Sequence, residues 1–307
     1  MINAKLKAEN RLTPYHNLLN MENILIIGST GTIGTAVLKN LQNRSVNVYA
    51  AIRSEKDIPK VAAYAEPVIL DFTQPETLDQ AMAGKDRVFL VTPLMQNPDE
   101  ITRLVVEAAR KNNLKHIVRS TAAGADVNGS IMMARWAGTS EAVVKESGLN
   151  FTILRPHSFL QNFISANSYT IKNQNAYYLP LGDARLAQLD VTDLGEVAAI
   201  ALTSDEHFGK TYELSGLTYT SEELAQIMSE VLGREITYVD APEEDIKAGL
   251  LSYNLPEWMV DSLMELYYII KQGWTDTYSD DYKSITGKEY TSARTFFEEN
   301  KAVFMPE

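Results

Sequence analysis

ILIIGSTGTIGTAVLKNL, residues 24–41, decides the fold of this 307-residue chain. An apolar strand-like run, Ile24–Ile27, leads directly into Gly28-Ser29-Thr30-Gly31-Thr32-Ile33-Gly34, and a helical pattern continues to Leu41. Glycine has no Cβ, so a Gly-x-x-Gly-x-x-Gly turn lets backbone N–H groups approach a pyrophosphate at the helix N-terminus. We therefore predict dinucleotide binding by residues 28–34, with a purely structural strand-to-helix turn as the alternative.

The chain outside this motif alternates short β-rich runs with longer helical ones. The strand-like runs are Val46–Ile52, Val68–Leu70, Val88–Thr92, His116–Ser120 and Phe151–Leu154, and the helical runs are Thr77–Met82, Ile101–Lys111, Thr139–Ser147, Asp190–Leu202 and Ser221–Leu232. This alternation predicts an α/β fold with a doubly wound parallel sheet of the Rossmann type.

The rhythm changes after Pro156, which predicts a smaller, discontinuous lobe. We expect residues 1–20 to be an N-terminal extension and residues 21–156 to be the dinucleotide-binding domain. Residues 187–215 would return to that domain, and the rest of 157–307 would form mainly the substrate lobe.

Composition excludes several classes of protein. Lys and Arg number 28 against 40 Asp and Glu, giving a net charge of −12, which disfavours nucleic acid as a partner. The chain has no cysteine, which excludes disulfides and thiolate nucleophiles, and its histidines and carboxylates show no metal-ligand spacing. Without a long apolar run or a signal-like N-terminus, we expect a cytoplasmic protein with no membrane contact. The oligomeric state stays open.

Arg53 bears on the choice of dinucleotide. It ends the second strand-like run, about 20 residues after the glycine motif, where an acidic residue is usual for NAD and a basic one accommodates the 2′-phosphate of NADP. The planar guanidinium suits phosphate, whereas nearby Glu55 favours the opposite choice. We therefore predict NADP(H) as the cofactor, with a solvated arginine as the alternative.

Five stretches together resemble the NmrA-like family of atypical short-chain dehydrogenases/reductases. They are Ile24–Leu41, SGLNFTILRP at Ser147–Pro156, DLGEVAAIA at Asp193–Ala201, TYELSG at Thr211–Gly216 and SITGKEYTSARTFFEEN at Ser284–Asn300. The resemblance implies an NAD(P)H-dependent oxidoreductase that reduces a quinone-like, azo or other aromatic acceptor. It also leaves open a non-catalytic NADP(H)-sensing regulator, because the family contains both.

The resemblance also implies roles for individual positions, all at the carboxyl ends of strands. The pyrophosphate would be held by Ser29, Thr30, Thr32 and Ile33, the 2′-phosphate by Arg53, and the adenine by Asp71 and Phe72. The ribose and nicotinamide would be flanked by Thr92, Pro93, Leu94, Thr121 and Ala122. The other side of the nicotinamide would be covered by Pro156 and His157.

The proton donor is not identifiable from the sequence. Typical short-chain dehydrogenases use a Tyr-x-x-x-Lys pair after the fifth strand, but residues 121–141 contain neither residue type. Tyr267 and Lys271 have that spacing in an apolar helical stretch, which we interpret as coincidence. His157 is a weak candidate for the donor, and we interpret Glu141 as an ordinary first-turn helix carboxylate rather than an anchor.

Aromatic residues supply candidates for contact with a small aromatic substrate, with simple packing as the alternative for each. They are Trp136, His157, Phe159, Phe163 and Tyr178, together with Tyr177.

Overall fold

The structure, a computed structural model, describes residues 21–306. The expected extension at residues 1–20 therefore lies outside the described residues. In chain order the strands are β1 (Asn23–Ile27), β2 (Asn47–Ile52), β3 (Glu66–Ile69), β4 (Arg87–Leu90), β5 (His116–Ser120), β6 (Asn150–Pro156), β7 (Ser158–Phe159), β8 (Ala176–Leu179), β9 (Arg185–Leu189), β10 (Lys210–Leu214), β11 (Leu217–Thr220) and β12 (Thr237–Asp240).

The helices cover both faces of the main sheet and build the second lobe. They are α1 (Thr32–Leu41), α2 (Ile58–Val61), α3 (Pro75–Met82), α4 (Pro98–Lys111), α5 (Met132–Lys145), α6 (Ser168–Gln174), α7 (Val191–Leu202), α8 (Ser221–Leu232), α9 (Glu243–Ser252), α10 (Glu257–Lys271), α11 (Asp281–Thr286), α12 (Ala293–Glu299) and α13 (Lys301–Phe304). No helix within residues 21–306 is long and apolar enough to cross a membrane.

The main sheet is parallel throughout, in the order β10-β6-β5-β4-β1-β2-β3. The chain winds outward from β1 in one direction to β3 and then in the other direction from β4 to β6. The winding reverses between β1 and β4, where open α/β sheets form a ligand crevice at the carboxyl ends of the strands. The predicted doubly wound fold is confirmed.

Two cores explain why the strands are apolar without alternation. Ile24 and Ile26 of β1 face a core that α1 and α7 cover, whereas Leu25 and Ile27 face a second core that α3, α4 and α5 cover. Because successive side chains of a strand point to opposite faces, each strand of a sheet covered on both sides must be apolar at nearly every position.

Helix α5 begins at Met132, seven residues before the predicted start at Thr139. Gly138 interrupts the helical pattern because glycine is a poor helix former, but it is required here for packing. A Cβ at Gly138 would lie 2.3 Å from the carbonyl carbon of Asp126 in the preceding loop. The close approach of loop and helix therefore overrides local propensity.

The segment after Pro156 divides its elements between the main sheet and a second lobe. Strand β10 pairs with β6, and α7 packs against α1, while α8, α12 and α13 enclose a separate core that contains Leu160, Leu224 and Phe296. Helix α8 has the capping box expected of its sequence, in which Thr220 and Glu223 exchange hydrogen bonds.

Candidate functional site

A cleft of about 450 Å³ opens at the carboxyl ends of β1 and β4, where the winding of the sheet reverses. The loop between β1 and α1 forms one wall, and residues that follow β4 and β6 form the other. The lining residues are Gly28, Thr30, Gly31, Thr32, Ile33, Gly34, Val91, Thr92, Pro93, Phe159, Gln161, Asn162 and Ser165.

Two glycines of the loop are required by its geometry. Gly28 has φ +83°, and a Cβ there would lie 2.6 Å from the carbonyl oxygen of Val91. A Cβ at Gly34 would lie 2.2 Å from the carbonyl oxygen of Gly28. The loop therefore folds back on its own helix, and its exposed residues Thr30, Gly31 and Thr32 present the N-terminus of α1 to the cleft. Free N–H groups at this end suit an anion.

Ser29 differs from its neighbours in the loop because its side chain is turned away from the cleft. It is fully buried, and its hydroxyl donates a hydrogen bond to the carbonyl oxygen of Ala51 in β2, at 2.5 Å. The hydroxyl thus ties the loop to the sheet. Any contact between Ser29 and a pyrophosphate must come from its backbone.

Arg53 and Asp71 stand together just beyond the ends of β2 and β3. Arg53 is 77% exposed, with its Nε 3.8 Å from Oδ2 of Asp71. Hydrogen bonds from the backbone N–H and hydroxyl of Thr73, and then the charge of Arg53, lower the pKa of Asp71. Phe72 is half-buried against the core beneath. An exposed cation beside an ionised carboxylate is available to an incoming phosphate.

Thr92 and Pro93 line the cleft, whereas Leu94 is 42% exposed and lies outside its lining. Beneath Thr92 lies Arg119 of β5, whose Nη2 donates to the Thr92 hydroxyl at 3.1 Å. Burial lowers the pKa of Arg119 to about 10. Arg119 was not predicted as a site residue, although an arginine inside the apolar strand HIVRS was a usable signal.

Within residues 21–306, the guanidinium of Arg119 forms no hydrogen bond to a carboxylate. Its other bonds go to the Ser140 hydroxyl and to the carbonyl oxygens of Leu90 and Ser120. A buried cation with all its donors occupied is costly to move. Arg119 therefore fixes the ends of β4 and β5, which together with Thr92 form one wall of the cleft.

Glu141 is a buried anchor, which corrects its interpretation as a first-turn helix carboxylate. It lies in the middle of α5 at 2% exposure and accepts hydrogen bonds from Arg155, Lys145 and the hydroxyl of Thr121. Burial raises the pKa of Glu141, but these donors outweigh it and leave the pKa below its ordinary value. The wrong interpretation followed from the late start assigned to α5.

The loop after β5 is fastened to β6 through this carboxylate. Thr121 donates its hydroxyl proton to Glu141 Oε1 at 2.8 Å, and Arg155 also donates to the carbonyl oxygen of Ala125 at 3.2 Å. The Thr121 hydroxyl, with its proton committed, can only accept from a further group. Ala122 follows it and is half-buried.

Pro156 and His157 lie outside the lining of the cleft. Pro156 is the buried last residue of β6, and its carbonyl oxygen accepts from the N–H of Ala123. His157 donates its backbone N–H to Leu214, and its Nε2 lies 3.3 Å from the hydroxyl of Thr277. Burial lowers the pKa of His157. The ring is therefore neutral near pH 7.

Of the aromatic residues expected to contact substrate, only Phe159 lines the cleft. Phe163 is 3% exposed and packs against Tyr177 in the core of the second lobe, so both are packing residues. Trp136 packs edge-on against Trp258, and Tyr178 lies on the small sheet of β8 and β12, donating to Gln174. Aromatic content alone does not distinguish a lining residue from a core residue.

Four lining residues were not predicted from the sequence: Val91, Gln161, Asn162 and Ser165. Gln161 has a second task, because its Oε1 accepts from the N–H of Val191 at the start of α7, at 3.0 Å. The polar residues Gln161 and Asn162 were a usable signal, since they come soon after the carboxyl end of β6.

Among residues 21–306, no side chain that lines the cleft is ionisable. The Tyr-x-x-x-Lys spacing in the C-terminal half does not alter this. Tyr267 packs with Leu181, Leu186 and Ile270, and Lys271 forms an ion pair with Glu243 at 2.7 Å. Both residues lie on α10, and the contacts of both are with residues of the second lobe.

The chain is similar to named reductases in sequence and in structure. An NAD(P)H azoreductase of Xenophilus azovorans is 31% identical over 91% of this chain and 97% of its own. Quinone oxidoreductase 2 of Escherichia coli is 25% identical over 79% of this chain and 86% of its own. The structure of a Citrobacter triphenylmethane reductase complexed with NADP(H) superimposes with a TM-score of 0.79 and 25% identity, covering 90% of this chain and 99% of the other.

The model of the NmrA-like family matches residues 20–295, which include the whole main sheet, the cleft and most of the second lobe. The glycine loop, the order of the strands and this match agree with one another, and the protein belongs to the NmrA-like family.

Proposed function

We propose that this protein is an NADPH-dependent reductase that delivers a hydride to an aromatic acceptor such as a quinone or an azo compound. The observation that carries the proposal is the cleft, in which the open N-terminus of α1 and the aromatic ring of Phe159 line one cavity. The N–H groups suit a pyrophosphate, and a ring in the same cavity suits stacking of a flat partner.

NADP(H) is the cofactor that fits these residues. Residues 28–34 would hold the pyrophosphate through their backbone, because the two crowded glycines leave no room for side chains there. Arg53 would hold the 2′-phosphate, and Asp71 and Phe72 would lie beside the adenine. The bound cofactor supplies the hydride, and the names of the azoreductase and of the NADP(H) complex support this assignment.

The protein's own part in the reaction is to bind and orient. In the part of the chain that the structure describes, the cleft is lined by no ionisable group, and the Thr121 hydroxyl already donates to Glu141. Chemistry that needs a strong general acid is therefore disfavoured, whereas an electron-poor acceptor takes a hydride when it is held close and in line. Because the cleft opens to solvent, water can supply the proton.

The second candidate function is NADP(H) sensing without turnover. The observation that favours it is the same lack of an ionisable side chain along the cleft, together with a β5–α5 loop that contains neither tyrosine nor lysine. A sensor would report cofactor binding through a change of surface that a partner recognises.

The test is NADPH oxidation with menadione, a benzoquinone, an azo dye and a triphenylmethane dye, beside calorimetric titration with NADPH and NADH. Turnover with at least one acceptor is the expected result and would identify the acceptor class. Tight NADPH binding without turnover on any acceptor would replace the reductase by the sensor, and absence of binding would contradict both.

A further inference from the structure

A second, shallow cavity of about 310 Å³ lies away from the cleft, between the β5–α5 loop and the C-terminal half of α10. We name it the α10 groove. It shares no lining residue with the cleft. The lining residues on which the inference depends are Ile131, Met264, Glu265, Tyr268, Ile269 and Trp274.

Two large aromatic side chains of the α10 groove remain in contact with water. Tyr268 is 56% exposed and Trp274 is 57% exposed, although both are rings that normally bury most of their surface. Their centroids lie 6.4 Å apart and their planes are almost perpendicular. The aliphatic side chains of Ile131 and Ile269 contribute to the same lining. A flat ring placed here would cover apolar surface that residues 21–306 leave uncovered.

Glu265 gives the groove its charge, because it is the one carboxylate among the lining residues of the described chain, which include no Lys, Arg or His. Its Oε2 accepts the backbone N–H of Met132 at 2.6 Å, which holds the carboxylate at the N-terminus of α5. No hydrogen bond reaches its Oε1 from residues 21–306. Lys271, the basic residue nearest to Glu265 in the chain, forms an ion pair with Glu243 at 2.7 Å. Arg135, three residues after Met132, donates to the carbonyl oxygen of Gly129 at 2.8 Å, and neither basic residue lines the groove.

We propose that the α10 groove binds a small, flat aromatic cation. The faces of tryptophan and tyrosine attract positive charge, and an anchored carboxylate with one oxygen free attracts it further. A protein with a net charge of −12 also favours a cation over an anion of the same shape. The inference goes beyond the proposed reductase function, since binding in the groove requires neither cofactor nor turnover.

The experiment is a fluorescence titration of the full-length protein, free of cofactor, with proflavine as the flat aromatic cation. Anthracene sulfonate and anthracene methanol serve as the anionic and neutral rings. We expect proflavine to bind about tenfold more tightly than the sulfonate, from the usual strength of a cation–π contact together with the carboxylate. Equal binding of the cation and the anion would overturn the proposal.

Variants locate the binding. Trp274→Ala and Tyr268→Ala each weaken proflavine by about fivefold or more, because each removes an exposed ring. Glu265→Gln weakens proflavine but leaves the neutral ring unchanged, and its amide oxygen still accepts from Met132, so the fold is retained. Tyr253→Ala is the matched control, since Tyr253 is 79% exposed and lies outside the groove.

Two further results would overturn the proposal. One is wild-type affinity for proflavine in both the Trp274 and Tyr268 variants. The other is displacement of proflavine by NADPH, which would assign the binding to the cleft instead. A protein that oxidises no NADPH and still binds proflavine in the groove would leave this inference standing while contradicting the reductase.

Discussion

Arg53→Ala tests which dinucleotide the cleft accepts. Arg53 lies at the end of β2, on the side of the sheet where the adenosine half would extend from the glycine loop. The substitution removes the cation expected to contact the 2′-phosphate, which NADPH has and NADH lacks. We therefore expect NADPH to bind more weakly and NADH to bind as before.

The expected loss follows from the exposure of the side chain. Two unit charges about 4 Å apart attract by about 1 kcal/mol in water and about 4 kcal/mol at the dielectric typical of a protein surface. Because Arg53 is 77% exposed and already lies 3.8 Å from Asp71, the low part of this range applies. A loss of about 1–2 kcal/mol corresponds to about fivefold to thirtyfold in the dissociation constant of NADPH.

Calorimetric titration with NADPH and NADH measures the effect, at low salt and at high salt. The NADPH loss is expected to shrink at high salt, because ions screen an exposed pair. Arg53→Lys should lose less than Arg53→Ala, since it keeps the charge without the planar fork. Arg44→Ala, an exposed arginine after α1, is the matched control. Equal losses for NADPH and NADH, or no loss for either, would refute the role of Arg53.

Three further predictions concern the stability of the site and of the fold. Gly34→Ala lowers the free energy of unfolding by about 1–3 kcal/mol or more, and with it the melting temperature, because its Cβ would lie 2.2 Å from the Gly28 carbonyl oxygen. Gly31→Ala, whose Cβ would lie 3.5 Å from the same atom, should leave the melting temperature unchanged. Equal effects of the two substitutions would contradict the loop geometry. Burial lowers the pKa of His116 from 6.5 to about 3. Below about pH 6.5 the unfolded chain therefore binds a proton at His116 and the folded chain does not, so stability is lost as the pH falls. Protonation of His116 in the unfolded chain should lower the free energy of unfolding by about 2 kcal/mol between pH 7 and pH 5, as measured by urea denaturation. If His116→Gln did not reduce this dependence of stability on pH, His116 would not be its cause. Glu141→Gln leaves Arg155 and Lys145 without their buried anion and should lower the free energy of unfolding, measured by urea denaturation, by about 3 kcal/mol. Glu146→Gln, at an exposed neighbouring position, should leave it almost unchanged. Similar losses for the two variants would argue against Glu141 as an anchor.

The sequence predicted the main sheet well because its strands and its first turn depend on local signals. Ile24–Ile27 is apolar at every position because both faces of β1 are buried, and Gly28 and Gly34 are required by contacts within one loop. Helix α8 was also predictable, because Thr220, Glu223 and Gly233 carry its start and stop signals within the helix itself.

Contacts between distant segments were not predictable. The helical run predicted to start at Thr139 begins at Met132, and Gly138 within it permits the loop at Asp126 to contact α5, 12 residues away in the chain. The roles of Glu141 and Arg119 depend on partners that only the folded sheet brings near. Phe163 and Phe159 are chemically identical and four residues apart, yet one is core and the other lines the cleft.

The most direct test of the proposed reductase is a single-turnover reaction. The protein is loaded with one equivalent of NADPH without oxygen and mixed with menadione, and loss of the reduced nicotinamide absorbance is followed in time. The account predicts oxidation far faster than in buffer, slowed when the transferred hydrogen of NADPH is replaced by deuterium. Bound NADPH that disappears no faster than free NADPH, with menadione and with each of the other acceptors, would contradict the account.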